Sequence, residues 1–269
     1  MNVTTMLIKT NSYQVNQINA FNDNYIWALV SEHKCAIVDP GDAAPVLDFL
    51  TKHSLELTDI LLTHHHPDHV GGVNTLLEQN PNINVFGPSS ERFNAFVNIP
   101  CEETSLPLKL NCGIQLHCIE LKGHTIDHIG FIDTHNAFVG DTLFSVGCGR
   151  LFEGTAAQMH NSLNKLSALS SKTKIYCAHE YTLSNIEFAL CVEPNNTALL
   201  QYKNKVEQLR QQNKASIPTT IKQELEVNPF LRVHSVEVQK NINHHFELTS
   251  ENVTNEEYFA YLRQWKDRF

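Results

Sequence analysis

The residues best suited to chemistry lie in one short window, Thr63-His64-His65-His66-Pro67-Asp68-His69, followed by Gly71-Gly72. In extended chain, residues two apart project to the same side, so His64 and His66 can grip one ion together. Asp68 and His69 turn away as a helix begins, toward a second ion. Imidazole nitrogen suits zinc, iron or nickel, and a carboxylate adds compensating charge. An expression tag would not sit mid-chain with an aspartate inside it. Four ligands cannot fill two metal shells, so others must come from elsewhere. Gly123-His124-Thr125, Gly140-Asp141-Thr142 and Ala178-His179-Glu180 each follow an apolar run and can complete a dinuclear site. These clusters account for part of a histidine excess, 15 in an acidic chain.

Such ligands need a frame. Between about residues 18 and 180, short β-branched and aromatic runs alternate with helical patches. The runs at Cys35–Val38, Ile60–Leu62, Asn84–Phe86, Ile114–Ile119, Ile129–Ile132, Ala137–Val139 and Lys174–Cys177 read as strands. Ala43–His53, Val73–Gln79 and Ala156–Leu169 read as helices, the last with Met159, Leu163, Leu166 and Leu169 three and four apart. Several strands run directly into the candidate ligands, as expected where a sheet supports strand-end loops. After about residue 182 the texture becomes helical without strands. Asn195–Gln212 is periodic, and 254–269 opens on Thr254-x-x-Glu257, a capping box. Tyr258, Leu262, Trp265 and Phe269 form its apolar stripe, with Arg263 and Lys266 on a neighbouring face. A boundary near 182 leaves a second domain too small to bury much alone.

With these residues in view, the chain resembles the metallo-β-lactamase-fold hydrolases and, within them, the glyoxalase II (hydroxyacylglutathione hydrolase) family. THxHxDH, GHT, GDT and the late histidine carry the first likeness. Asn24-Tyr25, Gly140-Asp141-Thr142-Leu143-Phe144, Gly147-Cys148-Gly149-Arg150, His179-Glu180-Tyr181-Thr182, Asn228-Pro229-Phe230-Leu231-Arg232 and Arg263-x-x-Lys266-Asp267-x-Phe269 carry the second. The resemblance implies an α/β fold: an αββα sandwich over 1–182, then a small α-helical, glutathione-binding domain over 183–269. It implies His64, His66 and His124 on one metal, Asp68, His69 and His179 on the other, and Asp141 bridging. Asp68 and Asp141 are then the catalytic carboxylates around a metal-bound hydroxide. Two divalent ions less two aspartates and one hydroxide leave a net positive site, as oxyanion stabilisation needs. The implied reaction is hydrolysis of S-2-hydroxyacylglutathione, as in S-D-lactoylglutathione to D-lactate and glutathione, the second step of methylglyoxal detoxification. Zinc is the expected metal, with iron and manganese as alternatives, because N/O ligands hold all three.

Glutathione carries two carboxylates and an amine, so cations are expected away from the metals. Arg150 and Tyr181 follow ligands closely enough to line the cleft, and Arg263 with Lys266 can clamp a carboxylate from the tail. His65 is expected to face packing or solvent, and His128 to be a hydrogen-bonded structural residue. Asp127 stands where relatives often have Gly, which puts the local loop in question. Phe152 stands where some have Tyr. Cys148 is not needed as a nucleophile.

A net charge of 20 − 29 = −9 argues against wrapping nucleic acid or lying on an anionic membrane. No apolar run reaches the roughly 18 residues of a membrane span. Seven scattered cysteines without a CxxC, and a polar start from Met1 to Gln14, fit a cytoplasmic protein with reduced thiols. A monomer is expected. Rival readings on the same fold are persulfide oxidation at one iron, and oxygen or nitric-oxide reduction at two irons. The first lacks a long helical tail; the second typically has Glu at the position of His66 and a flavin domain. A nucleic-acid processor and a closed structural metal module fit the charge and ligand types less well.

Overall fold

The computed structural model describes residues 13–250 and 252–269. The expectation for the chain's start therefore falls almost wholly outside the described residues. Two six-stranded sheets stack face to face. The first contains, in spatial and chain order, β1 (Gln14–Ala20), β2 (Asn24–Ser31), β3 (Lys34–Val38), β4 (Glu56–Leu61), β5 (Asn84–Pro88) and β6 (Ile99–Cys101). The second contains β7 (Leu108–Lys109), β8 (Gln115–Glu120), β9 (Ile129–Ile132), β10 (Asn136–Gly140), β13 (Lys174–Cys177) and β14 (Thr219–Thr220). A small hairpin, β11 (Leu143–Phe144) and β12 (Gly147–Cys148), stands between β10 and the rest.

Strand alternation divides the core. Tyr25, Trp27 and Leu29 of β2 point between the sheets, where they join Phe131, Phe138 and Tyr176. Ile26 and Ala28 point outward, onto α1 (Ala43–His53) and α3 (Val73–Gln79), against Val46, Leu50 and Leu76. Burying one such large apolar side chain contributes about 1.5–3 kcal/mol, so each face is firmly committed. On the second sheet, α4 (Ala156–Ser167) contributes Met159, Leu163 and Leu166 to the same core as the strands. The α/β sandwich with outer helices is therefore as expected.

The tail is built from α5 (Thr182–Val192), α6 (Thr197–Gln211), α7 (Ile221–Val227), α8 (Val236–His245) and α9 (Asn255–Asp267). Its Phe188, Phe230, Phe259 and Leu262 extend the core of the sandwich rather than forming an isolated one. The capping box at Thr254 and Glu257 is formed. One expectation fails: the tail is not strand-free. Thr219 and Thr220 pair antiparallel with Ile175 and Lys174, closing the edge of the second sheet. Two residues are too short to display alternation, and Thr220 also caps α7 by accepting from the Gln223 N–H. The hairpin β1–β2 is likewise absent from the expected strands. No described helix is long and apolar enough to cross a membrane.

Candidate metal centre

Residues 62–66 leave β4 through a bend at Thr63, and His66 (φ −63°, ψ 145°) is the extended N-cap of the single turn α2 (Pro67–Val70). Pro67 at the first helical position suits this start because its ring fixes φ and needs no N–H partner. The turn packs tightly: a Cβ on Gly41 would lie 1.8 Å from the Asp68 carbonyl oxygen, so only glycine fits beside it. His64 and His66 share one side, their Nε2 and Nδ1 atoms 3.1 Å apart, while His124 Nε2 comes within 3.0 Å of His66 Nδ1. Asp68, His69 and His179 form the second group. His69 Nε2 and His179 Nε2 lie 3.5 and 3.4 Å from Asp68 Oδ2.

Asp141 stands between the groups. Its Oδ2 is 3.4 Å from His124 Nε2, and its Oδ1 is 3.5 and 3.4 Å from the Nε2 atoms of His69 and His179. His69 Nε2 and Asp141 Oδ1 are fully buried without a hydrogen-bond partner. Orphaned polar atoms of this kind are costly unless something fills the gap, and here they face each other among further N/O donors. The donor set therefore fits two cations.

A further layer takes up the distal nitrogens of His69, His179 and His124. Asp39 Oδ2 is 3.0 Å from His69 Nδ1, and Asp39 also accepts from the Thr63 N–H and hydroxyl. Asp23 Oδ1 is 2.8 Å from His179 Nδ1. The Arg150 carbonyl is 2.8 Å from His124 Nδ1, and Asn24 donates to Asp68 Oδ2 at 2.9 Å. Outer partners of this kind orient ligands and raise their basicity. Asp39, Asp23 and Arg150's carbonyl were not foreseen in this role. Asp39 does close a β-strand in the polar run Asp39-Pro40-Gly41, which is the only sequence signal for it. His128 is fully buried, stacks on His64 with ring centres 4.8 Å apart, and accepts the Asp141 N–H at 3.1 Å.

The two ligand groups differ in their electrostatic surroundings. Burial, reinforced by neighbouring rings, drives His64 well below the ordinary histidine value, and His66 and His124 are also lowered, first by burial. For His69, burial opposes the proton, but the Asp141 and Asp39 carboxylates outweigh it and raise the pKa to about 10. Against the same opposition, Asp141, Asp68 and Asp23 raise His179 to about 11. Asp68 and Asp141, which burial alone would raise, are instead held well below the carboxylate range by these imidazoles.

A cavity of about 390 Å³ opens beside the cluster and brings His124 and Asp141 together with Arg150, Tyr181, Arg263 and Lys266. Tyr181 stacks on His179, centres 4.6 Å apart and nearly parallel. Lys266 Nζ donates to the Ser184 carbonyl at 3.2 Å and lies over the Phe188 ring. Arg263 is only 5% exposed and its fork is occupied: Nη1 donates to the Cys148 carbonyl at 3.0 Å, and Nε and Nη2 meet Asp267 Oδ1 at 3.1 and 3.0 Å. It is on the buried side of α9, not beside an open clamp. Arg150 is well exposed, with Nε 3.5 Å from Asp267 Oδ1.

Outside the cavity, His65 is turned from the other motif histidines toward Asp127 and Glu153, at 3.7 and 3.6 Å. Arg92 holds Glu153 there through both carboxylate oxygens. Asp127 Oδ1 also accepts the Thr125 hydroxyl at 3.0 Å. Phe152 packs its ring against His66 and His124. All seven cysteines are free.

Two family models match the chain: "Metallo-beta-lactamase superfamily" over residues 21–93 and "Hydroxyacylglutathione hydrolase C-terminus" over residues 180–269. The chain is 50% identical over 256 residues to the hydroxyacylglutathione hydrolase of Aliivibrio salmonicida (strain LFI1238), covering 95% of this chain and 99% of that one. It is 46% identical over 262 residues to hydroxyacylglutathione hydrolase 2 of Vibrio vulnificus (strain YJ016), with the same coverage. Among solved structures, the BLEG-1 B3 metallo-beta-lactamase superposes with a TM-score of 0.61 at 21% identity, covering 81% of this chain and 99% of that one.

Proposed function

The chain belongs to the hydroxyacylglutathione hydrolase family of the metallo-β-lactamase superfamily, and we infer that its ligand cluster and adjoining cavity are the two halves of one thioesterase site. The enzyme hydrolyses S-2-hydroxyacylglutathione, S-D-lactoylglutathione giving D-lactate and glutathione, the second step of methylglyoxal detoxification. One observation carries the assignment of roles: Asp141 offers one oxygen to each ligand group from a position on the cavity wall.

On this reading His64, His66 and His124 would hold one divalent ion, Asp68, His69 and His179 would hold another, and Asp141 would serve both. When bound, such a pair lowers the pKa of a shared water and polarises the carbonyl it faces. Asp39 and Asp23 keep the Nδ1 protons of His69 and His179, leaving Nε2 for coordination. His128 fixes the Asp141 backbone through its N–H. Arg150, Tyr181 and Lys266 meet the glutathione moiety, while Arg263 holds the β12 backbone on which that wall depends. Thiolate is a good leaving group, since a free thiol ionises near pH 8.5, so no general acid is assigned. Cys148 is buried with its thiol pushed up, which removes it as a nucleophile.

Zinc is the metal we assign, acting in a cytoplasmic monomer divided into residues 1–182 for catalysis and 183–269 for glutathione. The test is hydrolysis of S-D-lactoylglutathione, followed as thioester loss, with a metal count per chain. The expected result is turnover with two ions, lost on chelation and restored by zinc. One ion per chain with persulfide oxidation and no thioester loss would overturn it.

A further inference from the structure

The motif Asn228-Pro229-Phe230-Leu231-Arg232 lies in the tail, yet its first residue works at the metal centre's back. The β11–β12 hairpin begins two residues after Asp141 and ends two before Arg150, whose carbonyl orients His124. Its turn is buried, and its backbone groups are taken up one after another by tail side chains. Asn228 Nδ2 donates to the carbonyls of Phe144 and Gly147, at 3.2 and 3.0 Å. Asn185 donates to the Ser145 carbonyl at 3.1 Å, and Tyr202 meets the Ser145 hydroxyl at 2.9 Å. The Val146 N–H donates to Glu224 Oε2 at 2.8 Å, and the same oxygen accepts from Asn228 at 2.9 Å. Thr219 occupies the other Glu224 oxygen. Glu224 and Asn228 are both fully buried.

Val146 itself has φ +61°, a conformation unfavourable for a β-branched residue unless its surroundings impose it. They do: its side chain is fully buried in an apolar cluster otherwise built from residues 186 onward, with Ile186, Leu199 and Val206. The strain reaches the ligand by a short route. Gly149 N–H donates to the Thr142 carbonyl, and a Cβ on Gly149 would lie 1.9 Å from the Asp141 carbonyl oxygen. The returning strand is thus pressed against Asp141.

We propose that Glu224 and Asn228 are positioning residues that hold the strained Leu143–Cys148 hairpin and thereby set where Asp141 and His124 stand. The proposal rests on the reading of Asp141 as the bridge between two ions. It gives the tail a second task, felt in metal affinity and kcat rather than in KM.

The experiment compares Glu224→Ala, Glu224→Gln and a control, Ile242→Ala, which opens the tail core on α8 and leaves the hairpin's partners in place. Each apoprotein is titrated with zinc alone against a chelator, melted, and assayed on S-D-lactoylglutathione. For Glu224→Ala, zinc affinity and kcat are expected to fall about 10- to 100-fold, the usual effect of removing an outer partner, with KM within about twofold. Glu224→Gln keeps an acceptor for Val146 and Asn228 and should recover most of both. Ile242→Ala should lose melting temperature but neither zinc affinity nor kcat. If Glu224→Ala does not fold, Val146→Gly carries the test: it keeps the backbone conformation, loses the anchor, and should still bind zinc more weakly. Zinc affinity in Glu224→Ala, or in Val146→Gly where that stands in, equal to the control's overturns the proposal. A wild type that binds two zinc ions but leaves the thioester intact overturns the substrate reading instead.

Discussion

Where the cavity meets the ligand cluster, His69, His124 and His179 each have a fixed partner on the nitrogen turned away from the cluster; where it meets α9, a cation leans in on a single hydrogen bond. His69 and His179 have a carboxylate behind them and another in front. Lys266 has the Ser184 carbonyl and two aromatic faces. The first wall is over-determined, as a reacting centre must be, since misplaced charge costs transition-state stabilisation. The second is adaptable, as suits the recognition of a flexible peptide. The two walls should therefore fail differently: the metal wall in kcat, the tail wall in KM.

The sharpest break is Asp141→Asn. A neutral amide leaves two cations less shielded, and kcat should fall by roughly 10²–10³, the scale of losing a preorganised electrostatic partner. Metal content and steady-state rates measure it, and full occupancy with unchanged turnover would sink the bridging role. Asp39→Asn is next. It keeps the shape beside His69 but removes the charge, and should weaken metal binding or kcat by about 10- to 100-fold. Titration of the apoprotein with zinc reads this directly.

On the tail wall, Lys266→Ala should cost on the order of 1.5–3 kcal/mol, roughly 10- to 150-fold in kcat/KM, almost all of it in KM. Arg263→Ala should behave otherwise, because its fork supports the Cys148 carbonyl: melting temperature and kcat should drop along with affinity. Identical KM-only behaviour for both variants would erase the distinction drawn between them. The smallest effect is in pH. Burial, with Arg263 nearby, lowers Lys266 to about 8. Its charge is present below that pH and lost above it, so kcat/KM of the free enzyme should decline above about pH 8 and level off no lower than the Lys266→Ala value. Lys266→Arg stays charged and should flatten that limb; an unchanged profile would assign the limb to another group.

What could be read from residues alone follows the same division. The HxHxDH ligands lie within six consecutive residues, from the loop after β4 into the turn α2, so their spacing was enough to mark them. Helices Ala43–His53 and Val73–Gln79 and strand Lys174–Cys177 match the expected bounds. The first of these has local signals at both ends, Asp42 capping its start and Ser54 in the left-handed region at its stop. The hairpin β1–β2 was missed because β2 is buried on both faces, so its apolar run shows no alternation. Asp39 and Asp23 were missed as supports because they meet His69 and His179 across 30 and 156 residues of chain. No pattern of spacing marks such a pair. Arg263 and Lys266 were legible as a pair, but not the hydrogen bonds that separate their roles.

The short strand β14 has a consequence for anyone who divides this chain. Removing everything after residue 182 would leave β13 as the rim of its sheet, its backbone N–H and C=O groups unpaired along the side that Thr219 and Thr220 now cover. Bare rims of this kind recruit other chains. Together with the apolar surface uncovered by the loss of Phe188, Phe230 and Phe259, this makes self-association the expected fate of the fragment. The tail thus serves as a solubility cover for the sandwich, and an inactive truncation would report clumping before it reported lost substrate contacts.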